Sequence, residues 1–206
     1  MTLTPVIVFL MMVSVSWALL FERSSPIASA DDRAIAESCL ALADQGSCEF
    51  YSCFESRLPC GREWYMLRTG HYYCNKMQRQ KPNFSLAGQR FIEDAQRCLT
   101  QSLKDEYRLD DIDCHTLEHQ AVDSITPCFI NNDFCNAFRT DAAQFFRVYE
   151  FSDLFTRGAG KIWRQIVNMA AQCGGAAARE ITSDTSETVI NTVNTFFDSL
   201  SRGVGK

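Results

Sequence analysis

The chain has 206 residues, of which 46% are hydrophobic and 22% are charged, with ten cysteines, three histidines and a formal net charge of −5. The apolar fraction excludes a disordered chain, and the length fits one domain or two small ones. An acidic chain with a pI of about 5.2 lacks the basic surface that nucleic acids require, and it offers no polybasic segment to anionic lipid. We therefore expect no nucleic-acid partner.

The N-terminal segment predicts secretion. Residues 5–21 form an uncharged apolar run, PVIVFLMMVSVSWALLF, where the core of a signal peptide lies. Ala28 and Ala30 supply the small residues of a cleavage site, so we expect residues 1–30 to be a signal peptide. Cleavage after Ala18 and a retained signal anchor are the alternatives. No later apolar run approaches the roughly 18 residues of a membrane span, so the mature chain is expected to be extracellular, with no membrane span.

The cysteines are expected to form disulfides. An even number of them in an exported chain is typical of a disulfide framework, and no paired C-x-x-C spacing points to a metal site. The count alone leaves the connectivity open. All ten lie beyond the expected cleavage site: Cys39, Cys48, Cys53, Cys60, Cys74, Cys98, Cys114, Cys128, Cys135 and Cys173.

Helical periodicity dominates the chain from residue 33 onwards. Apolar side chains recur every three or four positions over 33–43 and again over 91–107, which predicts two helices. Residues 44–62 lie between them and are rich in Cys, Ser and Gly. We predict that 44–62 is a loop region held by disulfides.

Three further apolar stripes follow. Asp110-Asp111 suits the cap and first turn of a helix whose stripe extends from Cys114 to Cys128, with Pro127 expected to end or kink it. The other two stripes occupy 135–149 and 162–170. The predicted fold is therefore all-α and cross-linked by disulfides.

The C-terminal part is predicted to stand apart from the main domain, which we expect to cover 31–175. Residues 176–206 are expected to be a linker and an amphipathic helix. Asp184 and Glu187 resemble a capping box at its start, and an apolar stripe extends from Val189 to Leu200. That stripe is a candidate contact for a second copy of the chain.

One segment and the order of the cysteines resemble a known family. The segment FSLAGQRFI at 84–92 precedes Cys98, Cys114, Cys128 and Cys135. It is similar to the F-x-x-x-G-x-x-F-[IV] segment of the stanniocalcins, a family of secreted glycoprotein hormones, in which four cysteines follow at matching distances. The resemblance extends from about Cys39 to Cys173.

The resemblance implies a mostly helical, disulfide-rich protein that is not an enzyme. It implies a hormone of calcium and phosphate balance, or one that binds and inhibits a secreted metalloprotease of the pappalysin type. The vertebrate members carry a further cysteine that joins two subunits, whereas no cysteine follows Cys173 here, so a homodimer would be non-covalent. The implied disulfides are Cys39–Cys53, Cys48–Cys74, Cys60–Cys114, Cys98–Cys128 and Cys135–Cys173.

Asn83 is a candidate glycosylation site. Asn83-Phe84-Ser85 is the one N-x-[ST] sequon of the chain, and Pro82 places it at a helix break. In a secreted protein we expect Asn83 to carry a glycan, with an unmodified loop asparagine as the alternative. The family's sequon lies near the fourth cysteine, so this position differs from it.

The histidine pair offers a different function. His115-Thr116-Leu117-Glu118-His119 matches H-x-x-E-H, the zinc motif of one class of proteases, with Glu118 as the base that activates water. A small secreted zinc hydrolase is therefore the alternative function. A third protein ligand is missing from the pattern, and Cys114 belongs to an expected disulfide. We favour two surface histidines on a solvated helix, and expect neither a metal nor a cofactor.

Two weaker patterns complete the candidates. The acidic run at Asp110, Asp111 and Asp113 has calcium-binding chemistry but lacks the spacing of an EF-hand loop, so a capped helix start is favoured. The aromatic segment 64–73 is irregular and is a candidate partner surface. Phe145 and Trp163, by contrast, lie on apolar stripes and are predicted to be core residues.

Overall fold

A computed structural model describes residues 26–149 and 160–173. This part of the chain is mostly helical, with a single two-stranded sheet, and five disulfides cross-link it. The predicted fold class is confirmed. The predicted linker and C-terminal helix lie outside the described residues, as does the apolar run at 5–21.

The helices are short and follow one another closely along the chain. A π-helix at Met66–His71 continues directly into the α-helix that begins at Tyr72, and a 3₁₀ turn at Lys81–Asn83 precedes the α-helix that begins at Leu86. The α-helices are α1 Glu37–Gln45, α2 Glu49–Arg57, α3 Tyr72–Gln80, α4 Leu86–Gln101, α5 Lys104–Tyr107, α6 Cys114–Asp123, α7 Ile125–Ile130, α8 Phe134–Val148 and α9 Gly160–Gln172.

The sheet joins the two distant segments β1, Ile27–Ser29, and β2, Asp111–Asp113. The strands are antiparallel, with Ala28 opposite Ile112. The periodicity did not predict either strand. Because β1 lies before residue 31, the described fold begins upstream of the predicted domain boundary, and cleavage after Ala30 would separate β1 from β2.

The predicted loop at 44–62 is wrong, because it contains α2. Phe50 and Phe54 share one face of this helix, and both are fully buried. Gly46 ends α1 in the left-handed conformation with φ of 70°. An added Cβ there would lie 2.8 Å from the backbone nitrogen of Arg97, so glycine lets α1 turn against α4.

The predicted cap at Asp110-Asp111 is also wrong, since β2 occupies that position. Asp113 caps α6 instead, and its Oδ1 accepts a hydrogen bond from the backbone N–H of Thr116 at 2.7 Å. The predicted break near Pro127 is confirmed, because α6 and α7 meet at Ser124. Proline lacks the N–H that a continuous helix would need there.

An aromatic cluster fills the centre of the fold, where α4, α7 and α8 pack together. The Phe91 ring lies 5.0 Å from Phe129, 5.6 Å from Phe134 and 5.5 Å from Phe145, centroid to centroid. Edge-to-face contacts of this kind add to the free energy of burying the rings. The prediction that Phe145 and Trp163 are core residues is confirmed.

Candidate functional site

The family-like segment 84–92 forms the start of α4. Ser85 is the N-cap, and its Oγ accepts a hydrogen bond from the N–H of Gly88 at 3.2 Å. The carboxylate of Asp141 accepts two more bonds, from the Ser85 N–H at 2.9 Å and from the Ser85 hydroxyl at 2.6 Å. Asp141 is buried and interrupts α8 with non-helical angles (φ −117°, ψ 21°). This network fixes α8 to the start of α4.

The glycine of the same segment is required by packing. A Cβ on Gly88 would lie 2.2 Å from Asp141 Oδ2 and 2.8 Å from Phe84 Cδ1. Phe84 and Phe91 both contact the ring of Phe145, at 5.1 Å and 5.5 Å. The segment that resembles the family is therefore a packing motif, and its residues are not arranged for chemistry.

Asn83 lies on the surface beside this motif. It ends the 3₁₀ turn, is exposed, and donates a hydrogen bond from Nδ2 to Gln80 Oε1 at 3.0 Å. Leu86, one turn further along, has 74% of its surface exposed. The position of Asn83 is open to a glycan, and its glycosylation remains a prediction.

The histidine motif is not arranged as a metal centre. His115 and His119 are exposed on α6, and the rings of His115 and Trp64 are nearly perpendicular with their centroids 4.7 Å apart. Both carboxylate oxygens of Glu118 accept hydrogen bonds from Arg68 Nη2, at 3.4 Å and 3.3 Å. The residue expected to act as the base of a zinc hydrolase is therefore paired with a guanidinium. Within 26–149 and 160–173, no three metal-ligating side chains of His, Cys, Asp or Glu come together.

The acidic run is divided among three structural roles. Asp110 forms an ion pair with Arg57 Nη2 at 3.0 Å, Asp111 belongs to β2, and Asp113 caps α6. A calcium site needs several oxygens directed at one point. The carboxylates of Asp110 and Asp113 instead bind different partners, the Arg57 guanidinium and the Thr116 N–H.

The aromatic segment 64–73 is largely internal. Tyr65 and Tyr73 are buried, while Trp64 and Tyr72 are partly buried. A Cβ on Gly70 would lie 2.4 Å from the ring of Tyr51, so the π-helix packs closely on α2. Most of the segment is therefore unavailable to a partner.

Four buried tyrosines, Tyr51, Tyr65, Tyr73 and Tyr149, line a pocket beside the π-helix. The cavity volume is about 40 Å³. Burial raises the pKa of the Tyr51, Tyr65 and Tyr149 phenols, and for Tyr65 the phenols of Tyr51 and Tyr149 raise the pKa further. These three hydroxyls stay protonated at physiological pH, and Thr69 and Gln96 add further polar groups to the lining.

Two of the disulfides connect parts of the fold that are well separated in sequence. Cys98–Cys128 joins α4 to α7, and Cys135–Cys173 joins α8 to the residue after α9. The pairs are Cys39–Cys53, Cys48–Cys74, Cys60–Cys114, Cys98–Cys128 and Cys135–Cys173, the same pairs that the resemblance implies.

Two residues with central roles were missed from the sequence. Asp141 lies on a predicted helix but gave no indication that its carboxylate is buried. Arg57 is 4% exposed, and its guanidinium donates to the backbone carbonyls of Arg33 and Tyr107, which are far apart in the sequence. Neither residue stands in a motif, so only the packing of distant segments identifies them.

Comparison with known proteins gives one match. The stanniocalcin family matches residues 19–204, which is most of the chain. Searches of curated proteins and of solved structures gave no significant match. No described helix has the length and apolar character to cross a membrane. The extent of the family match, together with the disulfide-linked helical fold, places this chain in the stanniocalcin family.

Proposed function

We propose that the protein is a secreted, hormone-like regulator that acts by binding another protein and carries out no chemistry of its own. The observation that carries this proposal is the family match over 19–204. The proposed partner is a secreted metalloprotease of the pappalysin type, which the protein inhibits. The alternative partner is a receptor that controls calcium and phosphate balance, to which the protein would bind as a hormone.

The scaffold suits a protein that recognises others through a fixed surface. Five disulfides restrict the unfolded chain, and the aromatic cluster is fully internal. Several large apolar side chains remain exposed on this frame, among them Leu86 at 74%, Ile27 at 62% and Leu109 at 49%. Apolar side chains of this kind supply contact area when a rigid surface meets a partner.

The test is an inhibition assay with the purified secreted protein. A pappalysin-type metalloprotease is incubated with increasing amounts of the protein, and cleavage of a peptide substrate is followed. We expect inhibition that is complete near equimolar amounts. The double variant Cys60→Ser/Cys114→Ser is compared with the parent. It keeps the other surface side chains but loses the Cys60–Cys114 disulfide, and we expect weaker inhibition from it.

The receptor form of the proposal has its own readout. Calcium and phosphate uptake by epithelial cells is measured with and without the purified protein. A change in uptake without protease inhibition would support the receptor form. The absence of both effects would refute the proposed function.

Self-association is proposed as a separate property. The apolar stripe from Val189 to Leu200 is suited to pairing two chains without a disulfide. Light scattering on the full secreted chain is expected to give the mass of two copies. A chain ending at residue 175 is expected to give the mass of one.

A further inference from the structure

The N-terminal segment is built into the fold on both sides of the predicted cleavage point. The backbone N–H of Cys114 donates to the carbonyl of Pro26 at 3.0 Å, and that of Ala30 donates to the carbonyl of Asp110 at 2.7 Å. Between these bonds β1 pairs with β2 along its whole length. Ala28 is 2% exposed and Ala30 is 3% exposed.

Arg33 and Arg57 connect the N-terminal segment to α2 through hydrogen bonds to backbone carbonyls. Arg33 donates from Nη2 to the Ser29 carbonyl at 2.7 Å, from Nε to the Ala30 carbonyl at 2.6 Å, and from Nη1 to the Ser56 carbonyl at 2.9 Å. The buried Arg57 donates from Nε to the carbonyl of Arg33 at 3.0 Å. These bonds tie β1 to α2 as well as to β2.

A cut after Ala30 would remove half of this arrangement. The carbonyl of Asp110 and the N–H of Cys114 would lose their partners, and the Arg33 guanidinium would lose two of its carbonyl acceptors. The cut would therefore take both backbone hydrogen bonds and the buried Ala28 and Ala30 side chains out of the fold, and each such loss lowers its stability. Ala28 and Ala30 resemble a cleavage site because both are small. Their burial in the domain is another reason for small side chains at these positions.

The sequence offers a second cleavage position upstream. Ser16 and Ala18 supply small residues at the same spacing as Ala28 and Ala30. A cut after Ala18 leaves residues 5–17 as the apolar core, which is within the roughly 7–15 residues typical of a signal peptide. The family match begins at residue 19, directly after this position.

We propose that signal peptidase cleaves this chain after Ala18, so that the secreted protein begins at Leu19 and keeps β1 as part of its fold. This inference depends on entry into the secretory pathway and not on any particular partner. Failure of the protease or uptake assays would therefore leave it untouched.

The first test is the N-terminus of the secreted protein. The full chain is expressed in a secretory cell line, and protein purified from the medium is analysed by N-terminal sequencing and intact mass after removal of glycans. We expect Leu19 as the first residue. Asp31, or any other first residue, overturns the assignment.

A matched pair of variants tests the site independently of folding. The full chain is translated in the presence of microsomes, where signal cleavage is scored by the size of the product. Ala18→Leu is expected to abolish most of the cleavage, whereas Ala30→Leu is expected to leave it at the parent level. The reverse pattern, or loss of cleavage in neither variant, overturns the proposal.

Discussion

Asp141 illustrates how one buried side chain decides the relative position of two helices. Its carboxylate accepts both the N–H and the hydroxyl of Ser85. We predict that Asp141→Ala lowers the free energy of unfolding by about 1–3 kcal/mol, because the partly buried N–H and hydroxyl of Ser85 lose their acceptor. Guanidinium chloride unfolding with the disulfides intact measures the change. Asp94→Ala, on the exposed side of α4, is the matched control and is expected to change stability little.

Gly88 is coupled to the same carboxylate. Gly88→Ala is expected to destabilise the protein, since the new methyl group would lie 2.2 Å from Asp141 Oδ2. Removing the carboxylate removes that clash, so the double variant Gly88→Ala/Asp141→Ala is expected to lose less stability than the sum of the single variants. Strict additivity in the same unfolding assay would show that the two residues do not interact.

Glu55 is predicted to give the stability a dependence on pH. Its Oε1 accepts from the N–H of Gly61, while Oε2 is buried with no hydrogen-bond partner in the described part of the chain. Burial raises the pKa of Glu55 above its ordinary value of 4.5, although hydrogen bonds from the Gly61 and Cys60 N–H groups oppose the shift. Between the ordinary and the raised pKa, the folded state binds more protons than the unfolded state. The contribution of Glu55 to stability is therefore complete at low pH and is lost as pH rises through the raised pKa.

The variant Glu55→Gln isolates this contribution. Its stability relative to the parent is expected to increase as pH rises from about 4 and then to level off, because the amide does not ionise. Unfolding curves of both proteins at pH values from 4 to 8 measure the difference. Glu63→Gln, an exposed neighbour, is the control. A difference that is constant or falls with pH would contradict the prediction.

The exposed histidines are predicted to bind no structural zinc. Protein purified without added chelator is expected to contain far less than one zinc per chain, because Glu118 is held by Arg68 and a third ligand is missing among the described residues. The double variant His115→Ala/His119→Ala is expected to retain the parent's activity in the inhibition assay. Stoichiometric zinc that is lost in this variant would restore the hydrolase hypothesis.

At the scale of elements, the helices with a regular apolar stripe were predictable, including the nine-residue α1, whereas α2 was not. The stripes that became α4, α8 and α9 extend over three turns or more, so their periodicity stands out. By contrast, α2 lies in a segment rich in Cys and Ser, and Ser52 and Cys53 come between its buried aromatic residues. The strands were missed because β1 and β2 pair across more than eighty residues, and their pairing depends on contacts that no local pattern contains.

Arg57 holds the short elements of the N-terminal half together. Its guanidinium donates to the carbonyls of Arg33 at 3.0 Å and Tyr107 at 2.8 Å, to that of Leu109, and to the carboxylate of Asp110 at 3.0 Å. A lysine has one nitrogen and cannot reach four acceptors in this fork. We predict that Arg57→Lys lowers the free energy of unfolding by about 2–4 kcal/mol although the charge is kept.

The control for this prediction is Arg108→Lys. Arg108 is exposed and pairs with Asp105 at 2.7 Å within one helical turn, so its replacement is expected to change stability by less than about 0.5 kcal/mol. Hydrogen exchange adds a local readout. In Arg57→Lys, the amides of Ala30 and Cys114 are expected to exchange faster, because both belong to the ladder that Arg57 supports. Equal stability of the two lysine variants would show that α2 does not anchor the sheet.

At the scale of the whole molecule, the disulfides differ in how much chain they enclose. Cys60–Cys114 spans 54 residues, whereas Cys39–Cys53 spans 14. Closing a longer loop removes more entropy from the unfolded state, by about 4 kcal/mol for the larger ring against about 3 kcal/mol for the smaller. Cys114 also begins α6, and its own backbone N–H donates to the carbonyl of Pro26 in the N-terminal segment. We therefore predict that Cys60→Ser/Cys114→Ser is less stable than Cys39→Ser/Cys53→Ser, by about 1 kcal/mol or more.

The two double variants form a matched pair, because each replaces two cysteines by serines and leaves four disulfides. Their unfolding midpoints in guanidinium chloride, measured without reductant, give the comparison directly. Peptide mapping of the non-reduced proteins first verifies that the other four pairs are unchanged, since a scrambled pairing would invalidate the ring sizes. Lower stability of the variant without Cys60–Cys114 shows that this disulfide unites the N-terminal and central parts of the fold. Equal or reversed stabilities would mean that the carbonyl contacts of Arg57 and the aromatic cluster already hold those parts together without it.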